Sequence, residues 1–222
     1  MDLCIYLHEY FRNIHALLVF VRIFALDFMK RLRQHIKPGE VYRRSDLEYY
    51  STAVDRNLSR LTKDGTLRKL GQGLYYAPKK SKFGVVPPND HDLVERFLKD
   101  TSFLFVSPNA YNSLGLGLTQ LYNATWVYNH KRHGEFSLNG KKLLFKLKSA
   151  FPATLSKEFL VIDLLNNFDE LAVDQEQIVK NFQKNVDRFE ALELIKMAQQ
   201  YGSGATKKLV KSVLRKTQMI HV

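Results

Sequence analysis

Residues 45–78 read SDLEYYSTAVDRNLSRLTKDGTLRKLGQGLYYAP, and the reading of this stretch decides the fold. Ser45 and Glu48 have the S-x-x-E spacing of a capping box, in which the serine oxygen accepts from a free N–H of the first turn and the glutamate reaches back. That spacing predicts a helix from Ser45. Thr52 and Asp55 repeat the arrangement with a shorter acid, and Gly65 offers a left-handed stop, so a second helix is predicted from about Ala53 to Asp64. After it come a basic strand, Thr66 to Leu70, a turn, Gly71-Gln72-Gly73, and a return strand, Leu74 to Ala77. Glycines flanking one residue tolerate the positive φ of a tight hairpin. Helix, helix and hairpin in that order suggest a winged helix-turn-helix.

On a helix turning ~100° per residue, Val54, Leu58 and Leu61 fall within roughly 60° of one another, the spacing of a buried stripe. Thr52, Arg56, Ser59, Arg60 and Lys63 gather on the opposite side. Such a face suits a DNA major groove, where arginine pairs with guanine and hydroxyls reach bases or phosphates. Arg68 and Lys69 beside the turn, with Gln72 in it, are placed for phosphates or a minor groove. A solvated charged face and a strand edge protected against aggregation fit the same residues taken singly. The helix followed directly by the hairpin is what favours DNA.

Charge distribution points the same way. The 222-residue chain has a formal net charge of +12 and 45% apolar residues, values of a globular protein with a polyanionic partner. From Met29 to Phe83 there are fourteen Lys/Arg against five Asp/Glu, whereas from Gly84 to Ala205 there are thirteen against fourteen. The last seventeen residues add five Lys/Arg and no acid, a second, smaller basic element. Cys4 is the only cysteine, which excludes an intrachain disulfide and a cysteine-built zinc site and fits a cytoplasmic setting.

Three segments are expected. Residues 1–28 form an N-terminal helical extension or lie upstream of the true start, since MKRLRQHI from Met29 makes a natural first helix. Within this region Ile14 to Met29 is apolar, but it is sixteen residues long and contains Arg22 and Asp27, short of the ~20 needed to span a bilayer. No membrane partner is expected. Residues 29–83 form the winged domain, whose first helix ends at Lys37-Pro38-Gly39 and whose first strand is Val41-Tyr42. Lys79 to Pro88, a basic run and a Pro-Pro pair, reads as an extended linker. Residues 84–222 read as a mixed α+β domain: a helix from Asp90, a strand at Phe103 to Val106, Ser107-Pro108 opening a helix, an Asn139-Gly140 hairpin, an apolar run at Phe159 to Leu165 ambiguous between buried strand and helix, with Asn166-Asn167 after it favouring helix, and further helices to the end. The whole is α+β.

The run LSRLTKDGTLRKLGQGLYYAPKKSKFG, with SPNAYNSLGLGLTQLYNATWVYNHKRHGEFSLNGKKLLFKL further on, resembles the AbiEi family of bacterial antitoxins. The resemblance covers most of the chain from Met29. It implies a winged-helix repressor of its own operon that counteracts a cognate nucleotidyltransferase toxin, with operator DNA as a partner, and leaves open whether the toxin is contacted directly. By this resemblance Arg56, Ser59, Arg60, Arg68 and Lys69 match the DNA-contacting helix and wing, and Leu114 to Gln120 matches the antitoxin-domain signature. Leu121 stands where members often have proline, and the residues before Met29 lie outside the family pattern.

Catalytic and metal chemistry finds little support. His130-Lys131-Arg132-His133, joined by His91-Asp92, is the best metal candidate, though such histidines are commonly surface loop residues, and no metal or cofactor is expected. There is no G-x-S-x-G and no P-loop. Glu158 and Asp163 are the best nuclease-like pair, and ordinary helix-cap and surface charge is the plainer reading. The chain is therefore expected not to be an enzyme. A ligand-sensing regulator and a nucleic-acid-processing enzyme are the rival readings.

Overall fold

The apolar stripe Val54, Leu58, Leu61 becomes the centre of a small core because a helix this short is held by burying one face rather than by propensity. In the computed structural model, which describes residues 29–51 and 53–220, the helical and extended segments before and after that stripe fold over it. The chain is mixed α+β and divides into two compact units. The first holds the described residues up to Asp100 with Leu138–Gly140, and the second holds Thr101–Ser137 and the described residues from Lys141.

The first unit runs α1 (residues 29–35), β1 (Val41–Arg43), α2 (Arg44–Glu48), α3 (Val54–Lys63), β2 (Arg68–Gly71), β3 (Leu74–Tyr76), β4 (Lys79–Ser81), β5 (Gly84–Val86) and α4 (Asp90–Leu98). β1, β3 and β2 form an antiparallel sheet in that order, with Tyr76 opposite Val41 on one side and Arg68 on the other. Leu32 of α1, Leu47 of α2, Val54, Leu58 and Leu61 of α3, and Tyr42, Leu67 and Ala77 from the sheet and its flanks make one buried cluster.

Three expectations are corrected here. Ser45 does not cap α2: the helix starts directly from the end of β1, and Asp46 rather than Glu48 reaches back, its Oδ2 accepting from Arg43 N–H at 3.1 Å. Strand pairing decides this, because Arg43 is held opposite Leu74 and Arg44 N–H donates to the Gly73 carbonyl at 2.9 Å. In the Gly71-Gln72-Gly73 turn only Gly73 takes positive φ (68°); Gly71 stays in β2 opposite Leu74, which leaves a two-residue turn. Lys79 to Pro88 is no extended linker. β4 and β5 pair antiparallel, Lys79 opposite Val86, around a turn at Lys82-Phe83. The expectations for residues 1–28 and for Thr52 lie outside the described residues. Among the described residues no helix is long and apolar enough to cross a membrane.

The second unit contains β6 (Phe103–Val106), a 3₁₀ helix over Pro108–Leu114, β7 (Thr125–Asn129), all of β8 (Gly134–Leu138) except Leu138, β9 (Lys141–Leu147) and helices α5 (Lys157–Asn166), α6 (Gln175–Lys184), α7 (Ala191–Tyr201) and α8 (Gly204–Ile220). The sheet order is β6-β7-β9-β8, with β7 antiparallel to β6 and parallel to β9. Asn139 and Gly140 both take positive φ, 52° and 76°, as a two-residue hairpin of this twist demands. The ambiguous apolar run at Phe159 to Leu165 is helix α5: Ser156 caps it by accepting from Phe159 N–H at 3.0 Å, and its residues from Phe159 to Leu165 are all buried.

The core of the first unit yields a prediction. Leu61 is wholly buried, and Leu61→Ala should cost about 3 kcal/mol in urea unfolding of the full chain. Arg56→Ala, on the exposed side of the same helix, should stay within about 0.5 kcal/mol of wild type.

Candidate nucleic-acid interface

α3 carries one acid, Asp55, and Asp64 caps its C-terminal end; each is occupied by an arginine from another element. Arg44, at the start of α2, grips Asp55 through two parallel hydrogen bonds, Nε to Oδ1 at 2.7 Å and Nη2 to Oδ2 at 2.8 Å, and also pairs with Glu48. The guanidinium holds the Asp55 carboxyl below the usual carboxylate range, and Arg44 is raised in turn by the same hydrogen bond. At the other end, Asp64 accepts from Thr66 N–H at 3.0 Å and from Arg33 Nη2 at 2.6 Å. Its carboxyl is lowered first by the hydrogen bonds to Thr66 and then by Arg33.

With both carboxylates taken up, the outward face of α3 is left cationic. Arg56, Ser59, Arg60 and Lys63 are all exposed, and no carboxylate among the described residues pairs with Arg56, Arg60 or Lys63. They share the face opposite Val54, Leu58 and Leu61, as the spacing predicted. Arg68, Lys69 and Gln72 are exposed on the β2–β3 hairpin that follows. Leu67 N–H donates to the Leu61 carbonyl at 2.8 Å, fixing where β2 leaves the end of α3. Of the expected contact residues only Thr52 is outside the described set.

Two residues that hold this face in place were not singled out from the sequence. Ser51, buried between α2 and α3, accepts from Asn57 Nδ2 at 2.7 Å and from Ala53 N–H at 3.2 Å. Asn57 sits on the buried side of α3, and a polar residue one step from an apolar stripe was the available signal. Arg44 was equally legible only as one more surface charge.

The second unit holds a buried polar cluster. Asp163 of α5 is 2% exposed and accepts from Tyr111 Oη at 2.7 Å, from Tyr128 Oη at 2.8 Å and from Asn167 Nδ2 at 3.1 Å. Burial raises the Asp163 carboxyl above its ordinary value against the opposing effect of the two phenols. Both phenols are raised well above theirs, first by burial and then by Asp163. Beside them Lys146 lies 3.3 Å from the centre of the Trp126 ring, with Nζ 2.6 Å from Glu170 Oε2. Burial lowers the Lys146 ammonium, and Glu170 partly restores it.

This overturns the reading of Asp163 as surface charge. It faces the core, while Glu158 accepts from Glu190 N–H at 3.3 Å, so the two acids do not converge. His130 stacks on Phe151 with ring centroids 4.7 Å apart, its Nδ1 2.8 Å from the Lys148 carbonyl. The ligand-type group that does come together among the described residues is His91, Asp92 and Glu95 on α4, all within 4.8 Å and largely exposed. In the Leu114–Gln120 segment, Gly115 and Gly117 take φ of 69° and 87°, which strains any side chain there, and a Cβ at either would also displace the end of the Arg188 or Asn181 side chain. Leu116 between them is buried and its carbonyl accepts from Asn181 Nδ2 at 2.9 Å. Leu121 is exposed.

No family model matches the chain, and no curated protein matches it.

Two pH effects follow from the shifted carboxyls. For Asp55, whose folded pKa is depressed, the stabilisation is present above the unfolded value of about 3.9 and lost as pH falls through the lower folded value. Asp55→Asn should therefore melt below wild type at about pH 7 and together with it at about pH 2. Asp163 has the opposite sign. Its folded pKa is raised, so its contribution is fullest below about pH 3.9 and declines as pH rises through the folded value. Thermal melts of wild type and Asp163→Asn should show the wild-type advantage shrinking as pH rises from about 4.

Proposed function

We propose that the chain is a DNA-binding transcriptional repressor whose first unit is a winged helix-turn-helix, with α3 as the recognition helix and the β2–β3 hairpin as the wing. The observation that carries the reading is the electrostatic state of α3. Asp55 within it and Asp64 at its C-cap are tied to Arg44 and Arg33, which leaves Arg56, Ser59, Arg60 and Lys63 as one cationic and hydroxylic face followed directly by Arg68, Lys69 and Gln72. A face of this kind matches the donors and charges that read base edges and hold phosphates.

In the same reading the chain is a cytoplasmic, AbiEi-like antitoxin that represses its own operon, and its second unit counteracts a nucleotidyltransferase-like toxin. What supports this half is the resemblance at Leu114 to Gln120 and along 107–147, together with the requirement for glycine at positions 115 and 117 of that segment. No catalytic residue, metal or cofactor enters the mechanism. DNA is held by charge and groove contact, and repression follows from occupying the promoter.

Fluorescence anisotropy of the duplex immediately upstream of the gene tests the DNA half. Neutralising about five phosphates gives a slope of about −4.5 for log K against log salt. Arg56→Gln/Arg60→Gln should weaken binding about 100-fold while the protein stays folded, because each good arginine contact is worth about 1–3 kcal/mol. A complex indifferent to salt, or unchanged in this variant, would overturn the reading. Sequencing the adjacent gene and co-expressing its product tests the other half: it should encode a nucleotidyltransferase whose toxicity is relieved by wild type and not by Gly117→Leu.

A further inference from the structure

The β4–β5 hairpin is the least explained surface of the first unit. Phe83 at its turn is fully exposed, and Val85 and Val86 beyond it are 54% and 37% exposed. Lys79, Lys80 and Lys82 surround them, all exposed, and no carboxylate among the described residues pairs with these lysines. The chain has no acid at all between Asp64 and Asp90. An aromatic ring left wholly in water gives no folding benefit, and an aromatic at the tip of a cationic ribbon has the chemistry of a nucleic-acid contact.

The hairpin is also built to hold its shape. Ser81 Oγ accepts from Phe83 N–H at 3.2 Å and donates to the Gly84 carbonyl at 3.0 Å, and Gly84 takes a φ of 111° that a side chain would resist. Tyr76 Oη donates to the Val86 carbonyl at 2.6 Å, fastening the base to β3. The hairpin leaves β3 at the end where Tyr76 faces Arg68, while the β2–β3 turn lies at the other end. Since Leu67 bonds Leu61 there, the end of α3, Arg68 and the hairpin base follow one another. Three paired residues at about 3.3 Å each carry the tip about 10 Å farther.

We propose that the β4–β5 hairpin is a second DNA-contacting element, in which Lys79, Lys80 and Lys82 lie along phosphates and Phe83 enters the minor groove as an apolar wedge against a base step. This rests on the DNA-binding reading above and adds an element that neither α3 nor the β2–β3 hairpin supplies. The three lysines extend the cationic surface beyond Arg68, and the phenyl ring gains from partial stacking what it lacks in water.

The test uses the full chain and the same upstream duplex, with vesicles of phosphatidylserine and phosphatidylcholine as a second probe. Phe83→Ala should weaken DNA binding about ten-fold, the size of one lost base–aromatic stack. Phe83→Trp should keep the affinity, and the emission of the new tryptophan, taken as the difference from wild type, should be quenched on DNA. The wild-type salt slope should then be about −7, steeper than the roughly −4.5 that α3 and the β2–β3 hairpin contribute, and Lys79→Gln/Lys80→Gln/Lys82→Gln should make it shallower by about three. If Arg56→Gln/Arg60→Gln abolishes binding while the hairpin variants bind as wild type, the hairpin proposal fails and the DNA reading stands. Binding to vesicles that depends on Phe83, with DNA affinity unchanged, would assign the hairpin to a lipid surface and overturn it. A wild-type protein that does not bind the duplex removes the DNA reading itself.

Discussion

The bidentate pair between Arg44 and Asp55 ties the first turn of α2 to the first turn of α3, and the charge of the outward face of α3 depends on it. Arg44 is itself fixed through its backbone, because its N–H donates to the Gly73 carbonyl of the β2–β3 turn. One residue thus joins both helices and the hairpin. Being exposed, the pair contributes modestly to stability. Its larger effect is on charge, since a free Asp55 would sit on the same helix as Arg56 and Arg60 and draw them inward. Arg33 does the same for Asp64 at the far end. Two salt bridges that look structural therefore set the sign of the outward face.

Burial does the rest of the positioning. Leu58 and Leu61 admit only one rotation of α3 about its axis, and that rotation sends Arg56, Ser59, Arg60 and Lys63 to solvent. Ser51 and Asn57 then fix how the chain enters the helix, with Asn57 satisfied inside rather than left as an orphaned amide. In the second unit a different device is used. Asp163 lies among apolar residues, where a carboxylate survives only with its lone pairs filled, and two phenols and an amide fill them. Lys146, set on the Trp126 ring, brings opposite charge to the same region. The cluster links β7, β9, α5 and the turn carrying Tyr111, so it specifies how sheet and helices meet in that unit.

Sequence alone determined the elements whose signals are local. The stripe of α3, its cationic face and the Asn139-Gly140 turn follow from side-chain periodicity and from positive φ, which act within a few residues. The mixed α+β class follows from the same reading. Tertiary structure decided what depends on partners distant along the chain. The S-x-x-E spacing marked a cap at Ser45, but the pairing of Arg43 with Leu74 starts α2 directly from β1 and makes Arg43 the cap. A basic run ending in two prolines has no local mark of pairing, yet β4 and β5 close on each other through Ser81 and Gly84. Asp163 reads as one more acid on a helix until Tyr111 and Tyr128, 52 and 35 residues away, are brought against it. The physical reason is common to all three: spacing fixes which face a residue lies on, and only the packed chain fixes what that face meets.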